Sequence, residues 1–172
     1  MGNFSIIAAM TIGTQIIGNN NKIPWNISSD LKRFKNLTKN SPVIMGRKTY
    51  ESIISYLGKP LSDRTSIVLT SKTGFKANGC IVVNDVDSAI DACCGFDKSF
   101  VIGGSDIYGQ FIDISNELLI SFVLGSYCGD AYFPEIGKDW KLKSSNFVEK
   151  GTNDDSPHLF CIFERNLSEI FV

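Results

Sequence analysis

One histidine, His158, stands in 172 residues. Zinc sites and serine or cysteine nucleophiles draw on histidine as ligand or base, so metal hydrolases and triad hydrolases are both disfavoured. Cysteine is also sparse. Cys80, Cys93, Cys94, Cys128 and Cys161 are odd in number, two are adjacent, and none falls in C-x-x-C spacing. That pattern argues against a disulfide framework and for buried free thiols in a reducing cytosol. An excess of charge of one sign is missing too: 17 Lys and Arg against 18 Asp and Glu leave a net charge of -1. Nucleic-acid binding needs a strong basic excess and is disfavoured, although a few local cations suffice for a small anionic ligand. No apolar run reaches the ~18–20 residues that span a bilayer. Met1 to Met10 has neither the basic segment nor the cleavage site of a secretory signal. Internal repeats, low-complexity tracts and Pro/Ser-rich linkers are lacking as well, so residues 1–172 read as one domain.

What is present is a foldable core: 43% of residues are apolar and 20% charged. Short apolar runs at Phe4–Met10, Pro42–Gly46, Ser66–Thr70, Cys80–Val83, Phe100–Gly104 and Leu118–Leu124 read as buried strands. Helical patterns separate most of them. One is capped by Ser28 or Ser29 and carries Leu31, Phe34 and Leu37 on one face. Another runs through Tyr50, Ile53 and Ile54, a third over Asp87–Cys94 and a fourth over Ile107–Ile112. Alternating strands and helices predict an α/β fold with a largely parallel central sheet. Trp140–Val148 and His158–Arg165, joined through the turn Asn153-Asp154-Asp155, predict a terminal antiparallel hairpin. Gly13 to Asn26, with three consecutive asparagines, predicts a mobile loop.

Ligands of open α/β sheets bind beyond the carboxyl ends of the strands. Two strand-to-helix switches stand out there. Gly46-Arg47-Lys48-Thr49 offers amides, two cations and a hydroxyl to a phosphate. Ile102-Gly103-Gly104-Ser105 lets a backbone approach a pyrophosphate, with Ser105 placed to cap the next helix. Neither is a Rossmann fingerprint or a P-loop, and either alone is also readable as a tight turn. Asp30, in a first helical turn beside the basic pair Lys32-Arg33, is on local grounds a dipole-offsetting surface carboxylate. Its spacing to Leu31 and Phe34 also permits an inward position against an apolar wall, where a lone carboxylate requires a cationic or hydrogen-bonding ligand. Arg64, in Pro60-Leu61-Ser62-Asp63-Arg64, reads alone as a surface arginine after a turn.

Taken together these segments resemble dihydrofolate reductase of the bacterial chromosomal kind. The resemblance rests on Ile6–Ala9, Gly18, Ile23-Pro24-Trp25, Asp30–Phe34, Pro42–Thr49, Glu51-Ser52-Ile53, Pro60-Leu61 and Arg64. It continues through Val101–Gly104, Ile107-Tyr108, Gln110-Phe111, Gly129-Asp130 and Phe133-Pro134. It runs from about Ile6 to Arg165 and leaves 166–172 as a short tail. Each motif is weak, but their order and spacing are specific.

The resemblance implies a mainly parallel, twisted, eight-stranded sheet with flanking helices and a C-terminal antiparallel hairpin. It implies hydride transfer from C4 of NADPH to C6 of 7,8-dihydrofolate, with a proton added at N5, in support of one-carbon metabolism. It implies a catalytic set of Asp30, Trp25 and Ser121, with Asp30 and Ser121 on the pterin amidine edge. Ile7, Ala8, Leu31, Phe34, Ile53, Leu61, Ile102 and Tyr108 would line the pterin and benzoyl pocket, and Arg64 would hold the glutamate α-carboxylate. The cofactor would meet Ala9, Ile17, Gly18, Gly46, Arg47, Lys48, Thr49, Leu69, Thr70, Ser71, Lys72, Gly103, Gly104, Ser105 and Gln110. The Gly/Asn-rich loop would be a lid over the nicotinamide. A monomeric cytoplasmic enzyme follows, binding dihydrofolate and antifolate inhibitors, with no metal, nucleic-acid or membrane partner. Four departures are visible: Ile23 replaces the usual Met or Leu of the lid, Ser121 the usual Thr, Asp106 a basic residue some members carry near the adenosine 2′-phosphate, and the segment Ile54 to Gly58 is longer than in the shortest members. The rival readings are a pyrimidine reductase of the riboflavin pathway and a folate- or nucleotide-binding protein without turnover. Arg64 and the Trp25–Asp30 spacing speak against the former.

Overall fold

Runs rich in Ile, Val and Met have no polar face for water, so they settle where both faces are covered. The computed structural model describes residues 2–166. In chain order it contains β1 (Phe4–Thr11), β2 (Ile16–Gly18), α1 (Ser28–Thr38), β3 (Pro42–Gly46), α2 (Arg47–Leu57), β4 (Thr65–Leu69), β5 (Ile81–Val83) and α3 (Val86–Asp91). These are followed by β6 (Ser99–Val101), α4 (Ser105–Phe111), a 3-10 turn (Ile112–Ile114), β7 (Glu117–Val123), β8 (Ala131–Tyr132), β9 (Trp140–Val148) and β10 (His158–Arg165). Eight strands form one sheet in the order β5-β4-β3-β6-β1-β7-β10-β9. β5 through β7 are parallel, and β10 and β9 add antiparallel. The parallel sheet and terminal hairpin are as the sequence predicts.

β1 shows how the sheet sorts its side chains. Alternate residues of a strand face opposite ways. Phe4, Ile6, Ala8 and Met10 join a core with Ile44, Val101, Phe111, Leu118 and Ile120. Ile7 points to the other face, into a cluster with Val43, Met45, Val68, Phe100 and Leu119. Gly58 ends α2 at φ +71, its N–H donating to Ile54 O at 2.8 Å, a left-handed cap that glycine adopts without steric cost.

Several local expectations are corrected by tertiary contacts. The supposed mobile loop contains β2, which pairs antiparallel with β8, a strand too short to leave a sequence pattern. α1 has Ile27, not a serine, at its cap, and α4 has Gly104 rather than Ser105. Ser28 and Ser29 donate instead to Asp154, and Ser105 Oγ accepts the Tyr132 N–H at 3.1 Å. Of Leu31, Phe34 and Leu37, only Phe34 packs into a core cluster, while the two leucines stay over a third exposed. Cys93 and Cys161 are buried thiols, Cys80 is half-buried, and Cys94 and Cys128 are exposed. The predicted tail begins at 166, and its residues 167–172 lie outside the described residues.

Candidate active site

Asp30 is the third residue of α1, in the first turn, where unpaired N–H groups favour a carboxylate. Its side chain is 20% exposed. Ser121 of β7, in register with Ala9 of β1 and Phe160 of β10, donates its hydroxyl to Asp30 Oδ1 at 2.5 Å. Arg33 donates from Nη1 to the same oxygen at 3.0 Å and to His158 Nε2 at 2.9 Å, its guanidinium 4.4 Å from the Phe160 ring centre. Asp30 is therefore not a lone carboxylate, and Arg33 is not half of a surface pair: Lys32 alone is exposed. Among the described residues Asp30 Oδ2 accepts no hydrogen bond. His158 is wholly buried. Burial holds its pKa below the usual histidine value, with Asp30 opposing, Arg33 assisting and Asp154 opposing.

The start of α1 is fixed from the far end of the chain. Asp154, in the turn between β9 and β10, accepts the Ser28 hydroxyl at 2.9 Å, the Ser29 hydroxyl at 2.6 Å, the Ser29 N–H at 3.2 Å and the Gly151 N–H at 3.3 Å. These bonds, the Ser29 hydroxyl foremost, hold the Asp154 carboxyl well below the usual carboxylate range. Asp155 accepts the Asn26 N–H at 2.6 Å and returns its own N–H to Asn26 O.

Below Asp30 the apolar wall assembles on one face of the sheet. Ile7 is buried there, and Phe34, Ile53, Leu61 and Ile102 pack half-buried against the same cluster, together with Tyr50 and Phe160. Ala8 and Tyr108 belong to the opposite face, and Tyr108 reaches across only through its hydroxyl, which donates to Ile7 O at 3.0 Å. Leu31 is 45% exposed. Arg64 is half-buried, not a surface residue. It lies 5.6 Å from the Phe34 ring centre and donates from Nε to Thr38 Oγ1 at 2.8 Å, from Nη1 to Ser62 O and from Nη2 to Lys35 O. One N–H on each terminal nitrogen is left over, the fork that matches a carboxylate. Burial lowers the Arg64 pKa, against Asp63, and the group stays cationic.

Trp25 is buried against Ile27, Val123, Ala9 and Tyr127, with the Tyr127 ring edge-on at 5.1 Å. The segment before it is anchored by Asp130: its N–H donates to Gly18 O at 3.0 Å, and its carboxylate accepts the Asn20 N–H at 3.1 Å. Ile17 packs on the main core and Gly18 is buried.

The two glycine turns meet at the ends of β3 and β6. Gly46 N–H donates to Gly103 O at 2.8 Å, and a Cβ on Gly46 would touch Ile107 at 3.0 Å. Gly103 has φ +102, and a Cβ there would lie 2.7 Å from the Tyr108 ring; one on Gly104 would lie 3.7 Å from Thr49 Oγ1. Neither α2 nor α4 has a side-chain cap on its first amides. Arg47 pairs with Glu51 at 2.7 Å, and Lys48, Ser71, Lys72 and Gln110 are exposed. Leu69 and Thr70 are buried at the end of β4, with Thr70 Oγ1 accepting the Lys72 N–H.

Sequence reasoning missed Arg33, His158 and Asp154. Nothing local marks them: one reads as a solvated charge, one as an isolated core histidine, one as a turn residue.

Comparison with known proteins finds relatives along nearly the whole chain. A family model described as dihydrofolate reductase matches residues 3–165. The dihydrofolate reductase of Bacillus subtilis (strain 168) is 37% identical over 168 residues, covering 95% of each chain. That of Buchnera aphidicola subsp. Baizongia pistaciae (strain Bp) is 40% identical over 141 residues, covering 81% of this chain and 83% of its own. Among solved structures, dihydrofolate reductase from Enterococcus faecalis, complexed with NADP(H) and RAB-propyl, superposes with a TM-score of 0.89 at 28% identity, covering 96% of this chain and 97% of that one.

Proposed function

The chain belongs to the dihydrofolate reductase family, and from that premise we propose how its residues divide the work. The reaction reduces dihydrofolate with NADPH, which supplies the hydride from its nicotinamide ring when bound. Asp30 and Ser121 take the amidine edge of the pterin. The observation that carries this reading is the half-buried carboxylate with one oxygen held by Ser121 at 2.5 Å and Arg33 at 3.0 Å and the other open, above an apolar wall. Two parallel N–H donors match such a group in a charge-assisted pair. Ile7, Phe34, Ile53, Leu61 and Ile102 sandwich the ring and benzoyl group, flanked by Leu31, while Ala8 and Tyr108 back this wall from the opposite face, Tyr108 through its hydroxyl on Ile7 O. Arg64 offers its two spare N–H groups to the glutamate α-carboxylate.

The glycine turns suit a dinucleotide, because a Cβ at Gly46 or Gly103 would crowd Ile107 or Tyr108 and hold any ligand off the backbone. Gly46, Lys48, Thr49, Gly103, Gly104, Ser105 and Gln110 bind the pyrophosphate side. Arg47, Leu69, Thr70, Ser71 and Lys72 hold the adenosine end, and Ala9, Ile17, Gly18 and Trp25 lie toward the nicotinamide. Trp25, through its contact with Ala9, excludes water from the reacting face. The negative charge of Asp30 favours a proton on the pterin N5 and so a more electrophilic C6. Residues 1–172 act as one domain, and we read the enzyme as a monomer. The five free cysteines fit the cytoplasm.

Asp30→Asn tests the central role. It keeps size and helix-start geometry and removes the charge. Hydride transfer at pH 7, followed by NADPH absorbance, should fall ~10²–10⁴-fold and partly recover in acid, where solvent protonates the substrate. A near-normal rate at pH 7 would leave Asp30 as a helix-dipole residue only.

A further inference from the structure

Arg33 sits where the pterin reading of Asp30 does not require a cation. Its Nη1 bridges Asp30 Oδ1 at 3.0 Å and His158 Nε2 at 2.9 Å, and the side chain is 21% exposed. A guanidinium has no acceptor and does not lose its proton, so the short contact makes Nε2 the acceptor and puts the imidazole proton on Nδ1. His158 is wholly buried on β10, and Nδ1 finds no partner among the described residues. A buried histidine with one orphaned nitrogen is a poor core residue. What it provides is a fixed acceptor that holds Arg33 over Phe160 and against Asp30. Burial keeps the imidazole neutral, and hence an acceptor, into the range where free histidine charges. The titratable groups around this corner are Arg33 on α1, His158 on β10 and Asp154 in the turn before it. β7 contributes only the Ser121 hydroxyl.

We propose that Arg33, held by neutral His158, sets the charge that Asp30 presents and makes the site discriminate against protonated ligands. This rests on Asp30 being the pterin anchor. A guanidinium on the same carboxylate oxygen offsets part of the negative charge felt by a ligand on the other side. Neutral pterin is accepted at little cost. A protonated 2,4-diaminopyrimidine meets a cation two bonds beyond its own ion pair. The same offset lowers the proton affinity of N5 on the bound substrate, so hydride transfer fades at a lower pH than Asp30 alone would give. Arg33 is a positioning residue, and His158 positions it in turn.

The test uses the full chain, Arg33→Met and Arg33→Lys, and two readouts. Arg33→Met should move the midpoint of the pH profile for single-turnover hydride transfer upward by about half to one unit. It should bind a 2,4-diamino-5-benzylpyrimidine about three- to tenfold more tightly. Arg33→Lys should behave as the unaltered protein. His158→Leu should move both readouts the same way, and the double variant Arg33→Met/His158→Leu should go no further than Arg33→Met. Because His158 is the only histidine, its ¹⁵N spectrum reads the tautomer directly, with Nε2 expected unprotonated. Superimposable profiles and equal diaminopyrimidine affinities in Arg33→Met would overturn the proposal, as would a protonated Nε2. A shift in Arg33→Lys equal to that in Arg33→Met would show that packing, not charge, is at work, and would overturn it too. If Arg33→Met does not fold, Arg33→Gln, which keeps a donor without the charge, carries the same comparison. Asp30→Asn in both backgrounds separates the two failures. If it impairs transfer while Arg33→Met is silent, the Arg33 proposal fails alone; if it does not, the anchor reading has failed first.

Discussion

At Gly46–Thr49 and Gly103–Ser105, every group offered to a ligand comes from four or fewer consecutive residues, and most of it is backbone. At Asp30 the carboxylate depends on Ser121, 91 positions away, on Arg33, and through Arg33 on His158, 125 positions further along. The turns work by leaving space, since a Cβ at Gly103 would lie 2.7 Å from a ring carbon of Tyr108. The carboxylate corner works by filling space with charge and hydrogen bonds. The first kind of site is expected to be more sensitive to added volume than to nearby charge, and the second more sensitive to lost charge than to small changes in volume.

The largest effect that would sharpen this contrast is expected at Arg64. Arg64→Leu should weaken dihydrofolate and any antifolate bearing a glutamate tail by roughly 2–5 kcal/mol, the cost of stripping one partner from a desolvated ion pair. Ligands that end at the pterin or diaminopyrimidine ring should bind nearly as before. Calorimetry on the two ligand kinds decides, and equal losses would make Arg64 a purely structural tie between α1 and the loop before β4.

Next comes Gly103→Ala, which adds one methyl at φ +102 against Tyr108. Denaturant unfolding should show a loss of about 2–4 kcal/mol from strain and overpacking together. NADPH affinity should drop while affinity for a diaminopyrimidine changes little. Unchanged stability would mean that the turn relaxes and does not work by volume.

Asp154→Asn probes the other mode at a distance from the ligand. The carboxyl of Asp154 lies below its unfolded value, so its contribution to stability is present above the unfolded pKa of about 3.9 and is lost as pH falls toward the folded one. The unaltered protein should therefore lose stability as pH drops below about 4, and Asp154→Asn should flatten that acid limb. At pH 7 the variant should cost about 1–2 kcal/mol, the scale of a lost helix cap. Parallel acid limbs in the two proteins would contradict this.

The smallest effect is expected at Arg47. On the proposed reading Arg47, Thr70, Ser71 and Lys72 hold the 2′-phosphate, whereas Asp106 is an exposed carboxylate at the start of α4. Hydrogen bonds to a charged group outweigh one screened repulsion. NADPH should be preferred over NADH, and Arg47→Ala should reduce the ratio of kcat/KM values by roughly tenfold. Equal use of both cofactors by the unaltered protein would refute it.

The chain taken as letters determined the eight strands of the main sheet, the terminal hairpin and the two glycine turns. These depend on neighbours a few residues away: alternation sorts β1 between two cores, and a positive φ at Gly103 needs only the absence of a Cβ. The order of the motifs also led to the fold and to Asp30 and Arg64. Only the tertiary structure decided which way Arg33 points. Three positions past Asp30, its side chain has an equally good local course into water, and it turns inward because β10 brings an imidazole acceptor and the Phe160 ring under it. The same holds for the start of α1, where two serines that look like caps become donors to Asp154 once β9 and β10 carry that turn across. Hydrogen bonds between residues ninety or more positions apart leave no period in the sequence, and Asp30, Arg33 and the start of α1 are held by such bonds.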